Sequence, residues 1–110
     1  MAKILTITHE GKTYTLEYTR DSVKSLERNG FNINQISEKP LSMIPTLFAG
    51  AFIAHHPKVK TATINQIFAA MPDKVGLLSK LTEMYAEPVD TLLDEPEEGQ
   101  EGNSSWGADW

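Results

Sequence analysis

The pattern of hydrophobic and polar positions begins with a strict alternation near the start of the chain. Tyr14, Leu16 and Tyr18 recur at every second position, with Thr and Glu between them. Before it, Ile4, Thr6 and Thr8 alternate with Leu5, Ile7 and His9, and Gly11 lies between the two runs. β-branched and aromatic residues on either side of a glycine turn predict a β-hairpin. Because an isolated hairpin is only marginally stable, we expect it to pack against helices.

After the hairpin, the spacing of apolar residues changes to that of a helix. A first short helix is predicted to begin at a cap formed by Asp21 or Ser22. It is predicted to end at Asn29, because Gly30 can adopt the left-handed conformation that terminates helices. The apolar residues that follow predict a connector held against the core: Phe31, Ile33 and Ile36.

The second predicted helix runs from Met43 to about His56, with Ser42 as its cap and Pro57 after its end. Nearly all of its positions are apolar or small. A helix that is apolar all round is buried on several sides. In a small protein it is therefore either the central core helix or a helix shared with a partner subunit, and both interpretations stay open. Its small residues would permit close packing in a homo-oligomer: Ala49, Gly50, Ala51 and Ala54.

Two further helices are predicted before the acidic end of the chain. The stretch from Thr63 to Gln66 has the spacing of a capping box and predicts the start of the third helix, which Pro72 ends. Asp73 is predicted to cap the fourth helix, which Pro88 breaks. The apolar stripe of the third helix is Ile64, Ile67, Phe68 and Met71. That of the fourth is Val75, Leu78, Leu81 and Tyr85, with Leu77 and Met84 beside it.

Charge divides the 110 residues into a body and a tail. The first eighty residues carry ten Lys and Arg against six acids, or +4, whereas the remainder carries nine acids and no Lys or Arg. The stretch 95–105 offers no apolar residue to a core, so we expect residues 95–110 to be disordered in isolation. Residues 1–94 then form one α+β domain, in which the N-terminal β-hairpin packs on a bundle of about four helices.

Both tryptophans of the chain lie in this acidic tail, at Trp106 and Trp110. Tryptophan is usually found in a core or an interface. We therefore hypothesise that the two side chains are docking anchors, one helical turn apart if the tail orders on binding. The alternative is a solvating tail with incidental aromatic residues.

The composition excludes several classes of function. The absence of cysteine rules out disulfides and thiolate sites, and the acidic balance disfavours nucleic-acid binding. No apolar run is long enough to span a bilayer, so we predict a cytoplasmic protein without a membrane partner. No nucleophile motif or phosphate-binding loop occurs, so we predict neither an enzyme nor a cofactor.

The two adjacent histidines, His55 and His56, do not predict a metal site. Neighbouring positions on a helix point about 100° apart, so the rings would not converge on one ion. Together with Lys58 and Lys60 they form a small basic patch. The patch is either a solvated loop or a contact for an acidic protein, for example the tail of a neighbouring copy.

Several stretches together resemble a known family over residues 3–110. They are Gly11–Arg20, Ser22-Val23, Glu27–Phe31, Pro45–His56 and Met84–Leu93, followed by the acidic tail with its Trp-x-x-x-Trp end. The most specific of them is the run Leu47–His56. These residues resemble the small tail assembly chaperones of long-tailed, siphovirus-type bacteriophages and prophages.

The resemblance implies a function in phage tail assembly. Such proteins are thought to bind the tape-measure protein, keep it soluble and help to recruit tail-tube subunits, and they are generally absent from the finished virion. In many phages a ribosomal frameshift yields a longer product with the same N-terminal domain, and this product would contact the tail-tube protein. The alternative is another non-catalytic morphogenesis component, such as a head–tail connector or a tail-completion protein.

A chaperone for a long helical client needs an adaptable apolar face. The second predicted helix can supply one, and the tail can supply further anchors. The candidate partner-binding residues are therefore Met43, Ile44, Phe48, Phe52, Trp106 and Trp110.

Overall fold

A computed structural model describes residues 3–92 and 107–108. It contains a two-stranded antiparallel sheet, β1 (Ile4–His9) and β2 (Lys12–Glu17), and four α-helices joined in part by a short 3-10 turn at Ile33–Gln35. The helices are α1 (Arg20–Arg28), α2 (Pro40–Gly50), α3 (Thr61–Ala70) and α4 (Lys74–Thr91). The prediction of a hairpin followed by four helices is confirmed. The predicted disorder of residues 95–110 and the boundary at residue 94 lie outside the described residues, apart from the exposed Gly107 and Ala108.

The hairpin turns through two residues with positive φ. Glu10 has φ 50° and Gly11 has φ 78°, and they connect His9 to its partner Lys12. Two consecutive left-handed residues match the right-handed twist of the flanking strands. The alternating face that the sequence predicts at Tyr14, Leu16 and Tyr18 is buried.

The outer edge of β2 is covered by the segment that follows α2. The Glu17 N–H donates to the carbonyl oxygen of Ala51 at 3.0 Å. The Thr15 N–H donates to Nε2 of His56, also at 3.0 Å. These two bonds take the place of a third strand and fasten the hairpin to the helical body.

Helix α1 begins two or three residues earlier than the predicted caps, Asp21 or Ser22, imply. Its cap is Thr19, whose hydroxyl accepts from the Ser22 N–H at 3.1 Å, while the Ser22 hydroxyl accepts from the Thr19 N–H at 2.8 Å. Ser22 thus completes a capping box from the third helical position instead of acting as the cap itself. The predicted end is confirmed, because Gly30 has φ 93° and Phe31 folds back into the core.

The predicted bounds of the second helix are wrong at both ends. Helix α2 begins at Pro40, where a fixed φ and a missing N–H are tolerated, and no side-chain cap precedes it. It ends at Gly50, after which the chain turns through residues 51–55. The turn brings Ala51 to the edge of β2, so a contact distant in sequence ends the helix before His56.

The two halves of the apolar run in α2 have different environments. Leu47 and Phe48 are fully buried, whereas Leu41 in the first turn is 93% exposed. Gly50 packs so closely on α1 that an added Cβ would lie 2.6 Å from a methyl group of Leu26. The small residues Gly50 and Ala51 therefore permit close packing inside the chain and do not form a contact surface for a second copy. Homo-oligomerisation stays a prediction, and these two residues do not support it.

Helix α3 begins at Thr61, not at the predicted capping box, and Lys60 precedes it without a side-chain cap. Its predicted apolar stripe does pack on the core. Asp73 caps α4 as predicted, in the left-handed conformation at φ 48°. The predicted break at Pro88 is wrong, since α4 continues through this buried proline to Thr91.

The buried face of α4 differs in part from the predicted one. Its buried residues are Leu77, Leu81, Met84, Tyr85 and Pro88. Val75, which the sequence placed on the core face, is 82% exposed. The helix is therefore rotated about its axis so that Leu77 and Met84 face the core, and Val75 faces solvent beside α2. Among the described helices, none has the length and hydropathy needed to cross a membrane.

Candidate functional site

An open apolar groove lies between the first turns of α2 and α4, over the last part of α3. We call it the α2–α4 groove. Its volume is about 320 Å³, and its lining is apolar apart from one lysine. The lining residues are Pro40, Leu41, Ile44, Pro45, Phe68, Lys74, Val75 and Leu78.

One wall of the groove comes from the first half of α2. Leu41, Ile44 and Pro45 are spaced at i, i+3 and i+4, so they lie on one face of the helix. The start of the helix at Pro40 sets this face. Leu47 and Phe48 hold the second half of α2 in the core, whereas in the first half Leu41 is exposed and Ile44 and Pro45 are half-buried.

The opposite wall comes from α4, and the floor comes from α3. Val75 and Leu78 lie one turn apart on α4, and Phe68 lies between the helices. Lys74 is fixed at the rim, where its Nζ donates to the carbonyl oxygens of Met71 and Ala69 at 2.9 and 3.2 Å. Its ammonium group also lies 5.7 Å from the centre of the Phe68 ring. It satisfies carbonyl groups at the end of α3 and leaves the groove itself apolar.

The structure separates the partner-binding residues that the sequence predicted. Ile44 lines the groove, and Met43 is half-buried against the core. Phe48 and Phe52 are buried, with ring centres 5.2 Å apart, so they are core residues and not an accessible face. Their predicted exposure was wrong because the chain packs α3 and the hairpin over this end of α2. The other two candidates, Trp106 and Trp110, lie outside the described residues.

The adjacent histidines have contacts within the chain. His56 accepts from the backbone of β2, as described above, and its ring lies 5.3 Å from the Tyr14 ring, centre to centre. Nε2 of His55 lies 2.7 Å from Oε1 of Glu17. Within residues 3–92 and 107–108, no three metal-ligating side chains form a cluster. Both rings therefore join the segment after α2 to the hairpin.

Comparison with known proteins assigns the chain to a family. The chain belongs to the family described as Domain of unknown function (DUF5055). The match covers residues 1–110. No curated protein and no solved structure matched the chain. The family description names no activity, so the resemblance to tail assembly chaperones stays a prediction.

Of the eight residues that line the groove, only Ile44 is among the partner-binding residues that the sequence predicts. Leu41 lies before the predicted start of the second helix at Met43, and Val75 belongs to the apolar stripe that the sequence places on the core. One signal was present in the sequence. A proline at the first helical position followed by apolar residues at 41, 44 and 45 forms an amphipathic first turn.

Proposed function

We propose that this protein is a tail assembly chaperone of a long-tailed bacteriophage or prophage. In this role it binds the tape-measure protein in the cytoplasm of the bacterial host, keeps it soluble and helps to recruit tail-tube subunits. The proposal rests on the resemblance that Leu47–His56 and its companion stretches carry, and on the presence of a surface suited to a helical client. That surface, the α2–α4 groove, is the observation that carries the mechanism.

The groove has the features that recognition of an amphipathic helix requires. Such a helix presents apolar side chains at i, i+3, i+4 and i+7 to an apolar channel. Leu41 and Val75 are 93% and 82% exposed, so nearly their whole side chains are available to a partner. Fully burying an aliphatic side chain of this size contributes about 1.5–3 kcal/mol. Each site is therefore modest, and many copies along one client would act together.

A modest, apolar site suits the proposed client. A tape-measure protein is a long helical polypeptide that exposes apolar faces until the tail tube encloses it. A chaperone for it must cover those faces and then leave as tube subunits arrive. An open groove without buried polar partners permits both, because release breaks no network of hydrogen bonds or ion pairs.

In this role the protein acts without catalysis and without a cofactor. It acts in several copies, as a homo-oligomer. A longer frameshift product with the same N-terminal domain would contact the tail-tube protein. Neither nucleic acid nor membrane takes part.

The proposal is tested by co-expression with the tape-measure protein of the same phage or prophage. We expect the two proteins to copurify and the client to stay soluble. Replacing Leu41 with Glu places a charge in the groove and should abolish both effects. The matched control is Leu92→Glu, the same change at a leucine that is 61% exposed and lies outside the groove.

Both variants are compared with the unchanged chain by circular dichroism and urea unfolding. Since Leu41 is almost fully exposed, its replacement should leave the free energy of unfolding nearly unchanged. A client that stays insoluble with the unchanged chain would refute the proposed function. If the client is as soluble with Leu41→Glu as it is with Leu92→Glu, the proposed role of the groove is refuted.

A further inference from the structure

A second concave surface lies at the turn of the hairpin and is basic. It is about 440 Å³ in volume. Lys12 from β2 and Lys58 and Lys60 from the segment before α3 converge on it, with Tyr14 and Val59 among the apolar lining residues. No carboxylate is among the described residues that line it. We call it the lysine pocket.

The three lysines of this pocket are exposed, and no ion pair engages them within the described residues. The sequence alone placed only Lys58 and Lys60 together, beside the histidines. The fold adds Lys12, because the bonds from Glu17 and Thr15 to the segment after α2 bring the hairpin against that segment. Lys12 also lies 6.0 Å above the Tyr14 ring, at the border between the basic and apolar parts of the pocket.

The chain itself contains the complementary segment. Residues 94–110 carry six acids and no Lys or Arg, and they include both tryptophans. We propose that the lysine pocket binds this acidic C-terminal segment of the same chain. Glu101 and Asp109 would face the three ammonium groups, the acids at 94–98 would lie on the path to the pocket, and the apolar lining at Tyr14 and Val59 would accept nonpolar parts of the segment.

The segment is long enough to reach the pocket within one molecule. Arg20 donates from Nη2 to the carbonyl oxygen of Thr91 at 2.7 Å, which places the end of α4 beside the start of α1. From Arg20 back to Lys12 the chain spans at most about 29 Å, since each extended residue covers about 3.6 Å or less. The nine Cα-to-Cα steps from Leu92 to Glu101 span up to about 32 Å on the same measure. The Arg20 side chain adds several ångströms to the first distance, so Glu101 lies at the limit of this reach, whereas Asp109, up to about 61 Å from Leu92, lies well within it.

Attachment to the same chain also favours this occupant over a free acidic protein. A short flexible tether gives an effective concentration in the millimolar range, as a rule of thumb for linked sites. The contact is between exposed charges, so it is screened by salt. The Debye length falls from about 10 Å at 0.1 M salt to about 3 Å at 1 M. The proposal therefore predicts that the segment leaves the pocket at high salt.

The absence of cysteine in the chain makes a direct test possible. In the variant Ser104→Cys, a nitroxide spin label attaches at one site, between the acids and Trp106. Paramagnetic broadening of backbone amide signals then reports which part of the body the segment approaches. We expect selective broadening at Lys12, Lys58 and Lys60 in low salt, and recovery of these signals in 1 M NaCl, where the Debye length is about 3 Å.

Two double variants separate the pocket from overall charge. Lys58→Glu with Lys60→Glu should remove the broadening. Lys24→Glu with Lys80→Glu makes the same charge change at exposed positions outside the pocket and should preserve it. Circular dichroism of both variants verifies that the fold is kept.

Three results would overturn the proposal. The first is broadening that is absent or spread evenly over the body. The second is equal loss of broadening in the two double variants. The third comes from a mixture of spin-labelled protein with ¹⁵N-labelled protein that lacks the cysteine. If the broadening in that mixture is as strong as in the chain that carries both the spin label and ¹⁵N, the pocket binds the tail of a neighbouring copy. None of these results depends on the tape-measure protein, so they leave the proposed function to its own test.

Discussion

Removing the hydroxyl of Tyr18 tests how the hairpin is joined to the helical body. Tyr18 follows β2, and its phenol donates a buried hydrogen bond to the carbonyl oxygen of Leu47 in α2. In a continuing helix that carbonyl would accept from the N–H of Ala51. Here the Ala51 N–H donates instead to the carbonyl oxygen of Phe48 at 3.1 Å, because the last turn of the helix is tighter. The phenol therefore satisfies a carbonyl group that the helix leaves without its usual partner.

Tyr18→Phe keeps the ring and removes only this donor. The edge-to-face contact with Tyr85, with ring centres 5.5 Å apart, stays available to phenylalanine. A buried acceptor left without its donor costs about 1–3 kcal/mol. In a domain of this size each kcal/mol lowers Tm by about 4–8 °C. Urea unfolding followed by circular dichroism measures the loss.

Tyr14→Phe is the matched control. It deletes the same atom from another buried tyrosine on the same face, and Tyr14 makes no side-chain hydrogen bond to the described residues. A Tyr18→Phe variant that costs no more free energy of unfolding than Tyr14→Phe would refute this role of the Tyr18 hydroxyl.

The same variant has a predictable pH dependence. Burial, and secondarily the neighbouring Tyr85, raises the pKa of Tyr18 above its ordinary value of 10. The folded state thus favours the neutral phenol. This contribution to stability is fully present below pH 10 and is lost as the pH rises further. The stability difference between the unchanged chain and Tyr18→Phe should therefore narrow as the pH rises above 10. A difference that stays constant across this range would contradict the assignment.

Three further substitutions test the structure at single contacts. Gly50→Ala should cost about 1–3 kcal/mol of unfolding free energy, because the added Cβ would press on the buried Leu26. Sedimentation of this variant should show an unchanged oligomeric state. His56→Phe keeps an aromatic ring but removes the acceptor of the Thr15 N–H, so we expect a similar loss and faster hydrogen exchange of that amide. Asp73→Ala should cost about 1 kcal/mol as a lost cap, whereas Asp73→Gly should cost only a few tenths in a thermal melt, since its φ of 48° also suits glycine.

The features that the sequence predicted well are those set by local chemistry. The hairpin follows from alternation around a glycine turn, and the end of α1 follows from Gly30. The cap at Asp73 likewise needs only a side chain and the first turn of its helix. Each depends on residues within a few positions of one another, so the physical cause is present in the local sequence.

The features that were missed depend on contacts distant in sequence. The end of α2 is set by the approach of Ala51 to β2, and no local pattern marks Gly50 as a boundary. On α4, two overlapping apolar faces compete, and packing against α2 and α1 buries Leu77 and Met84 instead of Val75. Apolar density alone predicts that a helix is buried, but it does not say on which side.

The apolar run of α2 therefore has a buried half and an exposed half, whose contributions to stability and to the proposed client binding can be separated by mutation. The half that contains Phe48 belongs to the core, and truncating such a residue to alanine costs about 3–5 kcal/mol. The half that contains Leu41 contributes little to folding because the side chain is 93% exposed. Phe48→Ala would thus reduce client binding only by unfolding the domain. Leu41→Glu would reduce client binding in a domain that remains folded. The loss of client binding, compared with the loss of unfolding free energy in each variant, therefore distinguishes the exposed half from the buried half.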